Sequence, residues 1–127
     1  MLRDRSLEPS WAIEVGGRLV GDVLLLIDRA HCRAELAYSV VEGHRGRGYA
    51  TEAAAAAIDA AFKKLGLSRI YAEADSENIP SGRVLEKLGM TLEGRLRRNR
   101  YVPGAGFRDT LVYGILRGEW KARSRAS

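Results

Sequence analysis

A single cysteine, Cys32, occurs in the 127-residue chain, so no disulfide can close within it. That scarcity suits a reducing compartment. Histidine is almost as scarce. His31 sits beside Cys32 and His44 stands apart, and no second pair of ligating residues completes a zinc-type site. No metal is expected. Long apolar runs are missing too. Stretches such as Val23 to Ile27 fall far short of the roughly 20 residues that cross a bilayer. The opening Met1-Leu2-Arg3-Asp4-Arg5 has no apolar core of the kind a secretion signal needs. A cytoplasmic protein with no membrane role is the expectation. Aromatic residues are only 7% of the chain and no recognised nucleic-acid motif is present, which weighs against a nucleic-acid-binding module.

What is present describes one folded domain over residues 1–127. Hydrophobic residues make 46% and charged residues 29%, ordinary values for a globular chain. A chain this long buries roughly two-thirds of its unfolded surface. The net charge is +5, which favours anionic partners such as a phosphorylated cofactor or nucleic acid. Arg95, Arg97, Arg98 and Arg100 cluster, and Lys121, Arg123 and Arg125 dot the C-terminal end. Either group reads as a solvated basic face or as a contact for an anion.

Hydrophobic periodicity orders the chain. Residues 1–10 show none and read as an arm. Trp11 to Val15 and Leu19 to Ile27 are strand-like, joined by Gly16-Gly17 as a tight hairpin turn. Asp28 to Cys32 is a second turn, and Ala34 to Val41 a third strand. Tyr49 to Leu65 is a helix. Five consecutive alanines favour it, Ile58, Phe62 and Leu65 form its apolar stripe, and Gly66 ends it. Ser68 to Ala74 is a strand. Pro80 opens a second helix, which Gly89 closes, with Val84, Leu85 and Leu88 inward. Met90 to Val102 and Phe107 to Leu116 are the last strands, around a Pro103-Gly104-Ala105-Gly106 turn. From Arg117 the chain is a polar tail. The order β-β-β-α-β-α-β-β predicts an α/β (α+β) fold. Its sheet is mixed and mostly antiparallel, with one parallel crossover from Ala34–Val41 to Ser68–Ala74.

The segment between that third strand and the alanine-rich helix is basic and glycine-rich. The first amides of a helix lack partners within it and carry the positive end of its dipole. Phosphate fits there. Gly46 and Gly48 allow close backbone approach, and Arg45 and Arg47 add charge suited to phosphate. A P-loop is excluded, because no Lys-Ser/Thr pair follows the second glycine. A dinucleotide fingerprint fits poorly: Thr51 stands at its third glycine, and Glu42 to Arg45 separate the strand from the first.

Arg45-Gly46-Arg47-Gly48-Tyr49-Ala50 resembles the Arg/Gln-x-x-Gly-x-Gly/Ala signature of the GNAT acetyltransferase superfamily. Five further segments occur in order: Ala34-Glu35-Leu36-Ala37-Tyr38, Gly48-Tyr49-Ala50-Thr51-Glu52-Ala53, Asn78-Ile79-Pro80-Ser81, Val84 to Met90, and Glu93-Gly94-Arg95. Together they resemble the RimJ/RimL-type branch, which includes N-terminal-alanine acetyltransferases of ribosomal proteins. The resemblance runs from about Trp11 to Trp120.

It implies an acetyl-CoA co-substrate and a primary amine acceptor, either a peptide N-terminus or a small amine. It also implies that the two parallel strands splay and that the thioester lies in their gap. The amides of Arg45, Gly46, Arg47, Gly48, Tyr49 and Ala50 would hold the pyrophosphate, and the backbone of Ser39, Val40 and Val41 the pantetheine arm. Asn78 would hydrogen-bond the cofactor, and Ser81 would assist the leaving thiolate. Glu35 is the candidate base, through a water, although an arginine-paired carboxylate is the plainer reading. Ser81 could equally be a helix cap. Tyr101 and Tyr113 are further acid candidates or simply packing.

Relatives of that branch carry a longer N-terminal part than Met1 to Ser10, one strand and two helices that wall the acceptor pocket. Without them an exposed sheet would seek a partner, so a homodimer is expected. Two alternatives stand beside the active enzyme: a cofactor-binding relative with weak catalysis, and a nucleic-acid module built on the Arg95 to Arg100 cluster.

Overall fold

The computed structural model describes residues 5–6, 10–40 and 48–126. Val41, Arg45, Gly46 and Arg47 among the candidate site residues, and His44, lie outside that set. Among the described residues, seven strands and three α-helices follow in the order β1 (Arg5–Ser6), β2 (Ser10–Val15), β3 (Arg18–Asp28), β4 (Arg33–Val40), α1 (Tyr49–Leu65), β5 (Arg69–Asp75), α2 (Ile79–Lys87), β6 (Thr91–Val102), β7 (Gly106–Leu116) and α3 (Arg117–Ala126). A single 3₁₀ turn, Arg29–His31, links β3 to β4. The α/β reading and its element order hold, with one strand and one helix more than the sequence suggested.

Local chemistry accounts for the boundaries. Gly16 and Gly17 both have positive φ, 60° and 79°, as a two-residue hairpin matching the strand twist requires. Gly66 (φ 64°) closes α1 in the left-handed region. Asn78 caps α2 by accepting from the Ser81 amide at 3.2 Å. Val102 accepts from the Ala105 amide at 2.9 Å in the β6–β7 turn.

The sheet runs β1-β3-β4-β5-β7-β6, with β2 also paired to β3. All pairings are antiparallel except β4–β5, the crossover pair. That parallel ladder is short. It holds Arg33 against Arg69, Ala34 against Ile70 and Glu35 against Tyr71, and then stops. Both strands continue, β4 to Val40 and β5 to Asp75. β4 keeps its partner β3 as far as Val40, and β5 keeps β7 as far as Asp75. The sheet therefore parts down its middle, open toward the C-terminal ends of β4 and β5.

Alternation along the strands sorts the two faces. Leu25 and Ile27 of β3, Ala34 and Leu36 of β4, Ile70 and Ala72 of β5, and Tyr113 and Ile115 of β7 join one core with Ile58 and Phe62 of α1 and Leu85 of α2. Fully burying one such aliphatic side chain stabilises by about 1.5–3 kcal/mol. The opposite face carries Glu35, Tyr71 and the Arg69–Glu93 ion pair (2.6 Å). That pair lies across Gly114 of β7, where a Cβ would run into both side chains.

Two sequence expectations fail at the chain ends. The N-terminal arm contains β1, which pairs Arg5 with Asp28 and Ser6 with Ile27. A two-residue strand has no periodicity to read. The polar tail is the helix α3. Its one large apolar side chain, Trp120, is 4% exposed and belongs to the core. The Trp120 indole donates to Asp59 of α1 at 3.1 Å. Arg117 donates from Nε to the Leu67 carbonyl at 2.9 Å and from its other end to the Phe62 carbonyl. A cation near the end of α1 suits the dipole there. Asp59 thus serves both Trp120 and Lys63, the latter at 2.9 Å.

Candidate functional site

Three pieces of chain meet at the opening between β4 and β5. The first is the end of β4. Gly21 of β3 faces Val40 in the ladder, and a side chain there would collide with the Ser39 carbonyl. Glycine is what lets β3 hold the end of β4 so closely. Ser39 is exposed, and its hydroxyl donates to Asp22 at 2.8 Å. Val40 is half-buried. Whatever the end of β4 offers a ligand across the gap must come mainly from its backbone.

The second piece is the start of α1. Its cap is Gly48, φ 82°, with no side-chain cap bond. The Gly48 carbonyl accepts from the Glu52 amide at 3.0 Å. The first-turn amides precede that first helical bond. A side chain at Gly48 would meet no atom of the described residues within 4 Å, but the backbone conformation itself is one that glycine favours. Donors of this kind, at the positive end of a 17-residue helix, fit a diphosphate group.

The third piece is the turn from β5 into α2. Asp75 organises it. Its carboxylate accepts from the Glu77 amide at 2.8 Å and from Arg108 at 3.1 Å, and its carbonyl accepts from the Asn78 amide at 2.9 Å. The Glu77 amide first, and then Arg108, hold the Asp75 carboxyl below its ordinary range. Asn78 spends its side-chain oxygen on the Ser81 amide. A bond from Asn78 to any ligand has to come from its amide nitrogen.

The cap of α2 is Asn78, not Ser81. The Ser81 Oγ lies instead 3.1 Å from the Tyr38 hydroxyl, which also reaches the Ser81 carbonyl at 3.3 Å. Tyr38 is on β4, 43 residues earlier. Burial pushes its phenol pKa up, and the Ser81 bond only partly offsets this. Tyr38 alternates with Ala34 and Leu36, so its ring faces the helices, and a buried tyrosine hydroxyl needs a partner.

Glu35 lies on the other face of β4, at the last paired rung before the strands part. Glu35 and Ser81 thus flank the gap from opposite faces of the sheet. Tyr113 is 4% exposed and packs in the core. A side chain at Gly82 would come within 3.3 Å of its hydroxyl. Burial and then the nearby Glu86 carboxylate push the Tyr113 phenol pKa up. Tyr101 sits far from this group, 64% exposed near the β6–β7 turn against Phe107, ring centres 5.2 Å apart. Among the described residues no three His, Cys, Asp or Glu side chains gather as a metal site, and no helix is long and apolar enough to cross a membrane.

A mixed sheet parted along one parallel pair, with a helix N-terminus at the opening, is the architecture that the resemblance to the GNAT superfamily implies. Comparison with known proteins agrees: residues 2–91 match the model of the acetyltransferase (GNAT) domain. The chain belongs to the GNAT acetyltransferase family. The uncharacterized N-acetyltransferase YoaA of Bacillus subtilis is 39% identical over 87 residues, 68% of this chain and 49% of YoaA. The spermidine N(1)-acetyltransferase of Escherichia coli is 30% identical over 125 residues, 98% of this chain and 66% of that enzyme. The crystal structure of a ribosomal-protein-S5-alanine acetyltransferase from Vibrio fischeri superposes with a TM-score of 0.73 at 25% identity, covering 82% of this chain and 57% of that one. The chain thus spans about half to two-thirds of the length of these relatives.

Proposed function

We propose that the chain transfers the acetyl group of acetyl-CoA to a primary amine by direct attack within one ternary complex. The observation that carries this reading is the break in the β4–β5 ladder after Glu35 and Tyr71, with the start of α1 and Ser81 of α2 at the opening. The two relatives whose acceptors are named act on spermidine and on an alanine of a ribosomal protein. Both acceptors offer an amino group, which supports the acceptor class. The motifs around Asn78 and Glu93 favour the RimJ/RimL-type branch within the family.

In this reading the amides from Arg45 to Ala50 hold the diphosphate, and the backbone of Ser39 to Val41 pairs with the pantetheine arm. The Asn78 amide nitrogen adds a donor. Glu35, through a water, takes the proton the amine must shed. The nitrogen–carbon bond forms, the carbon–sulfur bond breaks, and the sulfur gains a proton in exchange. Ser81 supplies the hydrogen bond that steadies the departing thiolate. Much of the rate comes from holding the reactants together, which orientation alone can make worth about 7–11 kcal/mol. The exposed free thiol of Cys32 suits the reducing, cytoplasmic setting proposed here, and the molecule is proposed to act as a homodimer.

The direct test follows CoA release from acetyl-CoA with spermidine, an alanine-terminated peptide and other primary amines. Release above the amine-free rate with at least one of them is expected. A flat response across the panel would overturn the reading. Ser81→Ala should lower kcat by about tenfold or more while leaving the affinity for acetyl-CoA nearly intact, because the thiolate exists only toward the transition state. Light scattering giving a monomeric mass would remove the dimer.

A further inference from the structure

We infer that Tyr38 is a positioning residue that aims the Ser81 hydroxyl into the gap between β4 and β5. The inference rests on the proposed role of Ser81. It begins from a count of protons. A phenol has one O–H to donate, and two oxygens of Ser81 lie within its reach, Oγ at 3.1 Å and the carbonyl at 3.3 Å. Ser81 is in the first turn of α2, which continues to Lys87. Its carbonyl therefore already accepts the amide four residues on. The Oγ has no such partner supplied by the helix, and it is the nearer of the two.

Donation from Tyr38 to Oγ settles the serine rotor. With one lone pair of Oγ occupied by the phenol proton, the serine's own O–H must point elsewhere. A free serine hydroxyl rotates among several directions, and only some would serve a thiolate. A hydroxyl already accepting a bond is also the better donor, since linked hydrogen bonds polarise one another. The opposite arrangement, Ser81 donating to the phenol, would turn the serine proton away from the gap.

Burial fits this role. The raised phenol pKa means that Tyr38 keeps its proton at neutral pH, so it acts as a fixed donor. No proton leaves it in the reaction. The contact also spans the parted strands, tying β4 to α2 across 43 residues of sequence, where no ladder bond holds the two sides together.

A double-mutant cycle tests this. Tyr38→Phe, Ser81→Ala and the double variant are assayed with acetyl-CoA and spermidine, or the alanine-terminated peptide if that reacts faster. Tyr38→Phe removes one oxygen and leaves the ring packed, and its melting temperature confirms the fold. The expected result is a kcat lowered about three- to tenfold, the worth of one hydrogen bond, with KM for acetyl-CoA little changed. In the Ser81→Ala background the same change should have no further effect on kcat. An equal additional loss in that background, or a Tyr38→Phe enzyme with parental kcat, overturns the inference. Parental turnover in Ser81→Ala alone overturns the role of Ser81 itself, and is a distinct result.

Discussion

Gly48 combines a demanding backbone conformation with a place in the proposed diphosphate site. Its φ of 82° is left-handed, and no atom of the described residues lies within 4 Å of where a Cβ would stand. For Gly48→Ala the backbone conformation costs about 1–2 kcal/mol. The protein should fold with a slightly lower melting temperature and keep most of its affinity for acetyl-CoA. Gly48→Glu carries the same backbone cost but sets a carboxylate at the positive end of α1. In the folded protein that charge is tolerated or even favoured. Toward a diphosphate it competes and repels. Calorimetry should show binding lost in Gly48→Glu and retained in Gly48→Ala. Equal affinities in the two would place the diphosphate elsewhere. At this scale the sequence is most legible where a residue type has few uses. The glycines of the hairpin and of the α1 start could be read in advance, because positive φ is what glycine adopts without steric cost. The Tyr38–Ser81 contact could not, because nothing local specifies which hydroxyl a buried tyrosine finds.

The helix α3 is the element that sequence reasoning mistook. Of its residues Arg117–Ala126, only Trp120 is a large apolar side chain, so no stripe announces a packed helix. What holds it is specific. Trp120 is buried, its indole bonds Asp59, and the amide of Leu116 donates to Glu119 at 2.9 Å at the start of the helix. Trp120→Ala should cost about 3–5 kcal/mol. Trp120→Phe should cost less, about 1 kcal/mol beyond any packing loss, because it removes the bond and keeps a ring. Urea unfolding checks both, and parental stability in Trp120→Phe would mean that the indole bond contributes nothing. The same contact gives a pH dependence. Hydrogen bonds from Lys63 first, and then from Trp120, hold the Asp59 carboxyl below its ordinary range. A carboxyl depressed in the folded state contributes stability that is fully present above its unfolded pKa and is lost as pH falls through the folded one. Melting temperature should thus decline in acid, and Asp59→Asn should reduce that decline. An identical pH profile in the variant would remove Asp59 as a contributor. By contrast, α1 and the long strands were legible because their patterns repeat: alanine-rich helix on one side, period-two alternation on the other.

Taken as a whole, the molecule carries a net charge of +5, and how it spends that charge separates the surviving functions. The arginine cluster on β6, the feature that suggested nucleic acid, is largely engaged with the protein itself. Arg95 pairs with Asp109 at 2.6 Å, Arg100 with Glu73 at 3.7 Å, and the Arg98 guanidinium lies 5.3 Å over the Phe107 ring. The Arg98 amide first, and then Arg95, keep the Asp109 carboxyl below its ordinary range, so that partner stays ionised at neutral pH. Arginines bound to internal carboxylates contribute less to counterion release than a free basic strip would. Acetyl-CoA is itself polyanionic, and attraction to a basic protein is long-ranged and screened by salt, with a Debye length of about 10 Å at 0.1 M. The expected signature is a KM for acetyl-CoA that rises moderately with ionic strength while kcat stays level. A nucleic-acid module would behave otherwise: binding to a short duplex would fall along a steep log–log line in salt, with a slope set by the phosphates neutralised. Running both titrations on one preparation decides between them, because each reading requires salt sensitivity toward one polyanion and not the other. A steep slope for the duplex together with a salt-indifferent KM would assign the basic surface to nucleic acid and leave the parted sheet without its ligand.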